Sequence, residues 1–249
     1  MGMLATRRRC TMVLAAMLGA AAVSACGAAG QNQAGATAKP SSVSAPSLEA
    51  CVLPAYHARE VAFPVGSEQI VGAEFGSGSV GIVMSHEYRA DLCGWAPYAA
   101  HLASLGYRAL AFDFGTDLVQ DVIRAATQIH KDGADKVILM GASMGGTASL
   151  VAAQSSTLPI AAVASLSGPA QFQGMDAMTA VTKLQMPVLF LAGQQDVSFA
   201  QDARTLYAAC ASSKKQLHVY QGNDHGTQLL QFSVAQQVQA QLDSFVSSV

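Results

Sequence analysis

A serine set between two glycines, Gly141-Ala142-Ser143-Met144-Gly145, is the part of this chain best suited to covalent chemistry. An apolar run, Val137 to Met140, precedes it and is short enough for a buried strand. Thr147 to Gln154, rich in Ala and Leu, follows and reads as a helix. A G-x-S-x-G pattern between strand and helix predicts a nucleophile elbow, a tight turn that strains the serine backbone and presents its hydroxyl. Glycines at 141 and 145 remove Cβ atoms that would clash with the neighbouring strand and helix. The helix N-terminus behind Ser143 favours an oxyanion in front of it, with the Met144 N–H as one donor. The chemistry this permits is acyl transfer, with serine attacking a carbonyl carbon. The plainer alternative is a tight turn with no chemical role.

The elements that must position Ser143 follow from the periodicity. Glu60 to Pro64 and Ile70 to Phe75 read as strands joined by a turn at Gly66-Ser67. Further strands are predicted at Val80 to Ser85, Arg108 to Phe112, Lys136 to Met140, Ile160 to Leu166, Val188 to Leu191 and Leu217 to Tyr220. Helices are predicted at Ala96 to Leu105, Leu118 to His130, Ala177 to Leu184, Gln201 to Ala211 and Gln228 to Val246. Two initial strands followed by alternating strand and helix give an α/β fold, an eight-stranded, mostly parallel sheet with helices on both faces.

With the serine after the fifth of eight strands, residues 51–249 resemble the α/β-hydrolase superfamily. The resemblance implies an acid after the seventh strand and a histidine after the eighth. Gly193-Gln194-Gln195-Asp196 matches the family's G-x-x-D turn, which makes Asp196 the acid, with Asp202 in the next helix as the fallback. His225, in the Gly-flanked loop Gly222-Asn223-Asp224-His225-Gly226, is then the general base. Its competitors are badly placed: His218 lies in a strand, His101 and His130 lie in helices, and His57 precedes the core. The second oxyanion donor comes from the loop after the third strand, Ser85 to Asp91, where Tyr88 takes that role. Glu87 replaces the glycine common there. A glutamate after this strand resembles the dienelactone-hydrolase branch, in which a glutamate follows the same strand and lies near the nucleophile, although that branch usually carries cysteine where this chain has Ser143. Glu87 is equally readable as a surface charge. Phe172, Met175 and Phe199, expected in loops at the strand ends, are candidates to line an acyl pocket. Trp95, Tyr98 and Tyr107 are expected in the core. Between the sixth and seventh strands there is room for one crossover helix, so no lid domain is expected.

The ends of the chain carry a different message. Arg7, Arg8 and Arg9 precede an apolar stretch, Met12 to Val23, too short for a membrane span. Val23-Ser24-Ala25-Cys26 resembles the lipobox of bacterial lipoproteins. That implies a signal peptide at 1–25, acylation of Cys26, and an exported protein anchored by lipid to the outer face of the cell membrane. The alternative is an ordinary signal peptide. Residues 26–48, rich in Gly, Ala, Ser, Gln and Pro, read as a flexible tether, and 49–249 as the hydrolase domain.

The chain has 14 basic and 16 acidic residues, and without residues 1–25 its net charge becomes −5. No basic run is present to track phosphates, so nucleic acid is not an expected partner. Cys51, Cys93 and Cys210 match no zinc spacing, His86-Glu87 lacks the second histidine of H-E-x-x-H, and no Gly-rich phosphate loop occurs. Neither metal nor cofactor is expected. A disulfide between Cys51 and Cys93 is expected, although spacing alone does not dictate the pairing. The expected protein is a monomeric serine hydrolase acting on esters or related small acyl compounds. The alternatives are an acyltransferase with the same triad and a non-catalytic surface lipoprotein that keeps the fold for binding.

Overall fold

In the computed structural model, residues 48–66 and 68–249 are described. The signal segment, Cys26 and the tether up to residue 47 lie outside them, as does Ser67. Eight strands form one sheet in the order β1-β2-β4-β3-β5-β6-β9-β10. They are β1 (Arg59–Val65), β2 (Glu68–Gly76), β3 (Val80–Ser85), β4 (Arg108–Phe112), β5 (Lys136–Ala142), β6 (Ala162–Leu166), β9 (Val188–Gly193) and β10 (Lys215–Tyr220). Two-residue strands β7 (Gln171–Phe172) and β8 (Met175–Asp176) make a separate small hairpin. β2 runs antiparallel to β1 and β4, and every other pairing in the main sheet is parallel. This is the α/β-hydrolase arrangement expected from the strand count.

The central strands are buried on both faces, and their alternate side chains feed two separate cores. Val137 and Leu139 of β5 join one core with α2 (Leu118–Lys131), α3 (Met144–Ser155), α4 (Ala177–Val181) and α5 (Val197–Ala209). Ile138 and Met140 join the other with α1 (Ala96–Ser104) and α6 (Ala235–Ser247). Helix α2 shows why these segments are helical. Asp117 caps it by accepting from the Gln120 N–H, and Val122, Ala125, Ala126 and Ile129 repeat on its buried face. Burying a side chain the size of Ile129 contributes about 1.5–3 kcal/mol. Trp95 and Tyr98 are buried as expected, while Tyr107 is only partly so. Among the described residues no helix is long and apolar enough to cross a membrane.

Most element boundaries shift by a few residues, and three helical segments differ in ways that bear on the site. The terminal helix is two pieces, a 3-10 turn over Gly226–Leu230 and then α6. Thr227 and Leu229 are buried in the first piece, and Ser233 donates to Asp224 Oδ2 at 3.2 Å just before the second. These tertiary contacts break a periodicity that looks continuous in sequence. Helix α5 starts at Val197, earlier than expected, and stops at Ala209, so Cys210 follows it as a buried free thiol. The crossover helix α4 ends at Val181, and the β7–β8 hairpin uses the residues in front of it. Nothing between β6 and β9 amounts to a lid domain.

Candidate active site

Ser143 follows β5 with φ 47° and ψ −115°, a conformation a non-glycine residue holds at a cost of about 1–3 kcal/mol. The strain is enforced from both sides. The Ser143 N–H donates to the Leu166 carbonyl of β6 at 2.8 Å. A Cβ on Gly145 would collide with the Ser85 carbonyl, and one on Gly141 with Gly145 itself. Helix α3 therefore presses against β3 and β5 as only glycine allows. Met144 opens that helix and is buried.

Two further loops leave the same, C-terminal edge of the sheet. The loop after β9 carries Asp196 and the loop after β10 carries His225. They are joined along the backbone: Gln194 N–H donates to Tyr220 O at 2.7 Å and Gln195 N–H to Gly222 O at 2.9 Å. His225 Nδ1 lies 2.7 Å from Asp196 Oδ2, and the backbone N–H of His225 donates to Gln228 Oε1 at 3.2 Å. Phe199 packs against the imidazole with ring centroids 4.3 Å apart. It lies in the first turn of α5, not in a loop as expected, because that helix begins directly after Asp196. The rival groups are engaged elsewhere. Asp224 accepts from Ser233, and Asp202 Oδ2 accepts from the Ala170 N–H at 3.2 Å. His101 Nε2 lies 2.8 Å from Asp243, and His130 Nδ1 lies 2.7 Å from Ala134 O.

The loop after β3 is anchored at both ends. Phe114 N–H points at His86 Nε2 (3.2 Å), so that nitrogen accepts, and His86 Nδ1–H donates to Glu87 O at 2.7 Å. At the far end Leu92 N–H donates to Asp113 Oδ1 at 2.7 Å. Burial pushes the Asp113 carboxyl above the ordinary carboxylate range, while the Leu92 N–H and nearby His86 pull it down by less. Ala90 N–H closes a turn onto Glu87 O at 3.2 Å, with Arg89 at φ 63°. Tyr88 projects from this turn, 53% exposed, and its ring lies 5.8 Å from that of Phe172. Phe172 and Met175 belong to the β7–β8 hairpin, and Met175 is buried. Cys51 and Cys93 form a disulfide (Cα–Cα 5.6 Å) that ties the segment before β1 to the residue just past this loop.

Glu87 is not a solvated surface charge. Its Oε1 accepts from the Thr227 hydroxyl at 2.6 Å, and its Oε2 is enclosed without a hydrogen-bond partner. Thr227 was invisible to sequence reasoning, since 140 residues separate it from Glu87 and no local pattern marks it. Among the described residues no cluster of three His, Cys, Asp or Glu side chains is placed to hold a metal ion.

Residues 107–241, more than half of the chain, match the family model described as the dienelactone hydrolase family. No curated protein matches the chain significantly. Among solved structures, the fold is similar to Pyrococcus furiosus esterase Pf2001, with TM-score 0.66 and 14% identity over 78% of this chain and 93% of that one. It is also similar to a dienelactone hydrolase from Anabaena variabilis, with TM-score 0.63 and 18% identity over 77% of this chain and 98% of that one. A monoacylglycerol lipase from Paleococcus ferrophilus gives TM-score 0.62 and 15% identity, over 73% and 100% of the two chains.

Proposed function

The chain belongs to the dienelactone hydrolase family, and on that premise we propose that it is a serine hydrolase cleaving small carboxylic esters through an acyl-enzyme. The observation that carries this reading is the strained Ser143 at the end of β5, with a histidine on the same edge of the sheet already paired with a carboxylate at 2.7 Å. In the proposed reaction Ser143 Oγ attacks the ester carbonyl while His225 Nε2 takes its proton. Asp196 holds the Nδ1–H tautomer and stabilises the imidazolium. The Met144 and Tyr88 N–H groups donate to the developing oxyanion. His225 then protonates the leaving alcohol, and a water activated by the same imidazole releases the acid. Phe172 and Phe199 flank the acyl or alcohol group. Labelling with a fluorophosphonate probe tests this: the wild type should label and Ser143→Ala should not. Labelling that survives Ser143→Ala would overturn it.

The leader at 1–25 and the small residues before Cys26 support export and lipidation, which would hold the enzyme on the outer face of the cell membrane through a flexible tether. Several acyl chains on one cysteine anchor stably where a single chain does not. Mass spectrometry of membrane-extracted protein tests this part, and an unmodified N-terminus starting elsewhere would overturn it.

A further inference from the structure

The proposed reaction gives no task to Glu87, yet its carboxylate is held where two parts of the site meet. Glu87 immediately precedes Tyr88, and Thr227 stands two residues past His225. Their 2.6 Å hydrogen bond therefore links the loop after β3 to the loop after β10. These strands are not neighbours: β5, β6 and β9 lie between them. The later loop leans across the sheet to make the contact. A Cβ placed on Gly226 would sit 3.4 Å from Ala142 Cβ, next to the nucleophile, and 3.4 Å from Glu87 Oε1. Gly226 also has φ 58°, so the turn is suited to glycine and leaves the carboxylate room to approach. Behind Thr227 stands Gly94, where a Cβ would come within 2.8 Å of the threonine hydroxyl.

This bond is hard to give up. Thr227 is 2% exposed, and Glu87 Oε2 has no partner. The Thr227 hydroxyl is thus the hydrogen bond Glu87 depends on, and a charge-assisted bond in an enclosed place is strong. Losing it would leave an enclosed carboxylate with no donor, which costs more than the bond itself contributes. The backbone of Glu87 is fixed as well, through His86 and Ala90. Any shift of the turn Gly226–Leu230 is therefore opposed at Glu87.

We propose that Glu87 and Thr227 form a positioning clamp that sets the His225 imidazole relative to the Tyr88 N–H. The inference rests on the serine-hydrolase reading of the site. Base and oxyanion donor hang on different strands, and both must be in register with Ser143 at the moment of attack. The clamp fixes their separation directly. Glu87 acts through Thr227 and touches neither substrate nor reacting atoms.

The experiment compares Thr227→Val, which keeps the shape and removes the hydroxyl, with Thr227→Ser and Glu87→Gln, using p-nitrophenyl acetate turnover and fluorophosphonate labelling. Thr227→Val should lower kcat about 10²-fold, the loss expected when a catalytic group is misplaced by about 1 Å, with KM little changed. Labelling of Ser143 should slow in parallel, and Thr227→Ser should restore both. Glu87→Gln keeps an amide oxygen to accept from Thr227, so it should lose less than Thr227→Val. Wild-type kinetics in Thr227→Val, or a loss that serine does not restore, would overturn the clamp. If Thr227→Val does not fold, Glu87→Gln decides: near-complete loss of kcat in a folded protein would mean that Glu87 acts chemically, against the clamp. A wild type that resists the probe would instead defeat the serine-hydrolase reading, which separates the two failures.

Discussion

Asp196 Oδ2 and His225 Nδ1 lie 2.7 Å apart although 29 residues separate them in the chain. Adjacent parallel strands bring them together. β9 and β10 pair from Val188 to Gly193, and the backbone bonds at Gln194 and Gln195 continue that pairing into the loops. An asparagine at 196 would keep the shape, but it would lose the charge that holds the tautomer and stabilises the imidazolium. Asp196→Asn should therefore lower kcat by roughly 10⁴-fold, the loss that follows when the acid of a Ser-His-Asp triad becomes an amide. Asp202→Asn should leave kcat near wild type, since an amide oxygen can still accept from Ala170. Steady-state kinetics on both variants decide the matter. The reverse pattern would show that the acid has been misassigned.

The Cys51–Cys93 bridge closes a loop with a sequence separation of 42. Cross-linking a loop of this order stabilises a domain by about 2–4 kcal/mol, chiefly by constraining the unfolded chain. The double variant Cys51→Ser/Cys93→Ser should lose stability in that range on chemical denaturation. Non-reducing peptide mapping that found both thiols free would contradict the pairing.

Acyl chain length should be limited by aromatic walls. Phe199 covers one side of His225, and Tyr88, in the loop after β3, packs on Phe172. Only the small hairpin and α4 lie between β6 and β9, so no cover for a long chain exists there. Methylenes beyond the walls remain in water and forgo the roughly 0.8 kcal/mol that each would gain by burial. Acetate to butyrate p-nitrophenyl esters should show higher kcat/KM than palmitate, with no jump in rate at a lipid–water interface. Phe172→Ala should raise the octanoate-to-acetate ratio. A wild type that prefers palmitate would refute the assignment of these walls.

Asp113 gives a pH-dependent prediction. Its folded pKa is raised, chiefly by burial, so its contribution to stability is present below the ordinary value of 3.8 and lost as pH rises through the raised value. Asparagine does not titrate and can still accept from Leu92 N–H. Asp113→Asn should therefore melt above wild type at neutral pH, and the gain should vanish in acid below the ordinary carboxylate range. Thermal melts across pH check this. A difference that is flat with pH, or negative at neutrality, would count against it.

Much of the fold was legible because it is written in local runs. Strands β3 and β4 fall where their unbroken apolar stretches put them, Val80–Ser85 and Arg108–Phe112, and the elbow announces itself by two glycines around a serine. What escaped was written in contacts between distant segments. The break before α6 depends on burial of Thr227 and Leu229 and on the Ser233–Asp224 bond, none of which disturbs the helical period. Phe199 looked like a loop residue because nothing in Val197-Ser198 signals a helix start, although the chain turns helical directly after Asp196. Glu87 left two readings open in sequence, since only its partner, 140 residues away, distinguishes an enclosed carboxylate from a surface one.

The position of β3 bears on how the protein can be dissected. In the chain it comes before Tyr107, where the family match begins, yet in the sheet it lies between β4 and β5 and pairs with both. A fragment starting at Tyr107 would carry Ser143, Asp196 and His225 with a gap through the middle of its sheet and no Tyr88. The complementary fragment would hold β3 with nothing to flank it. Cleavage at the exposed turn around Gly106 should therefore give two inert pieces that regain hydrolysis only on reassembly, a split enzyme whose output reports the meeting of its halves.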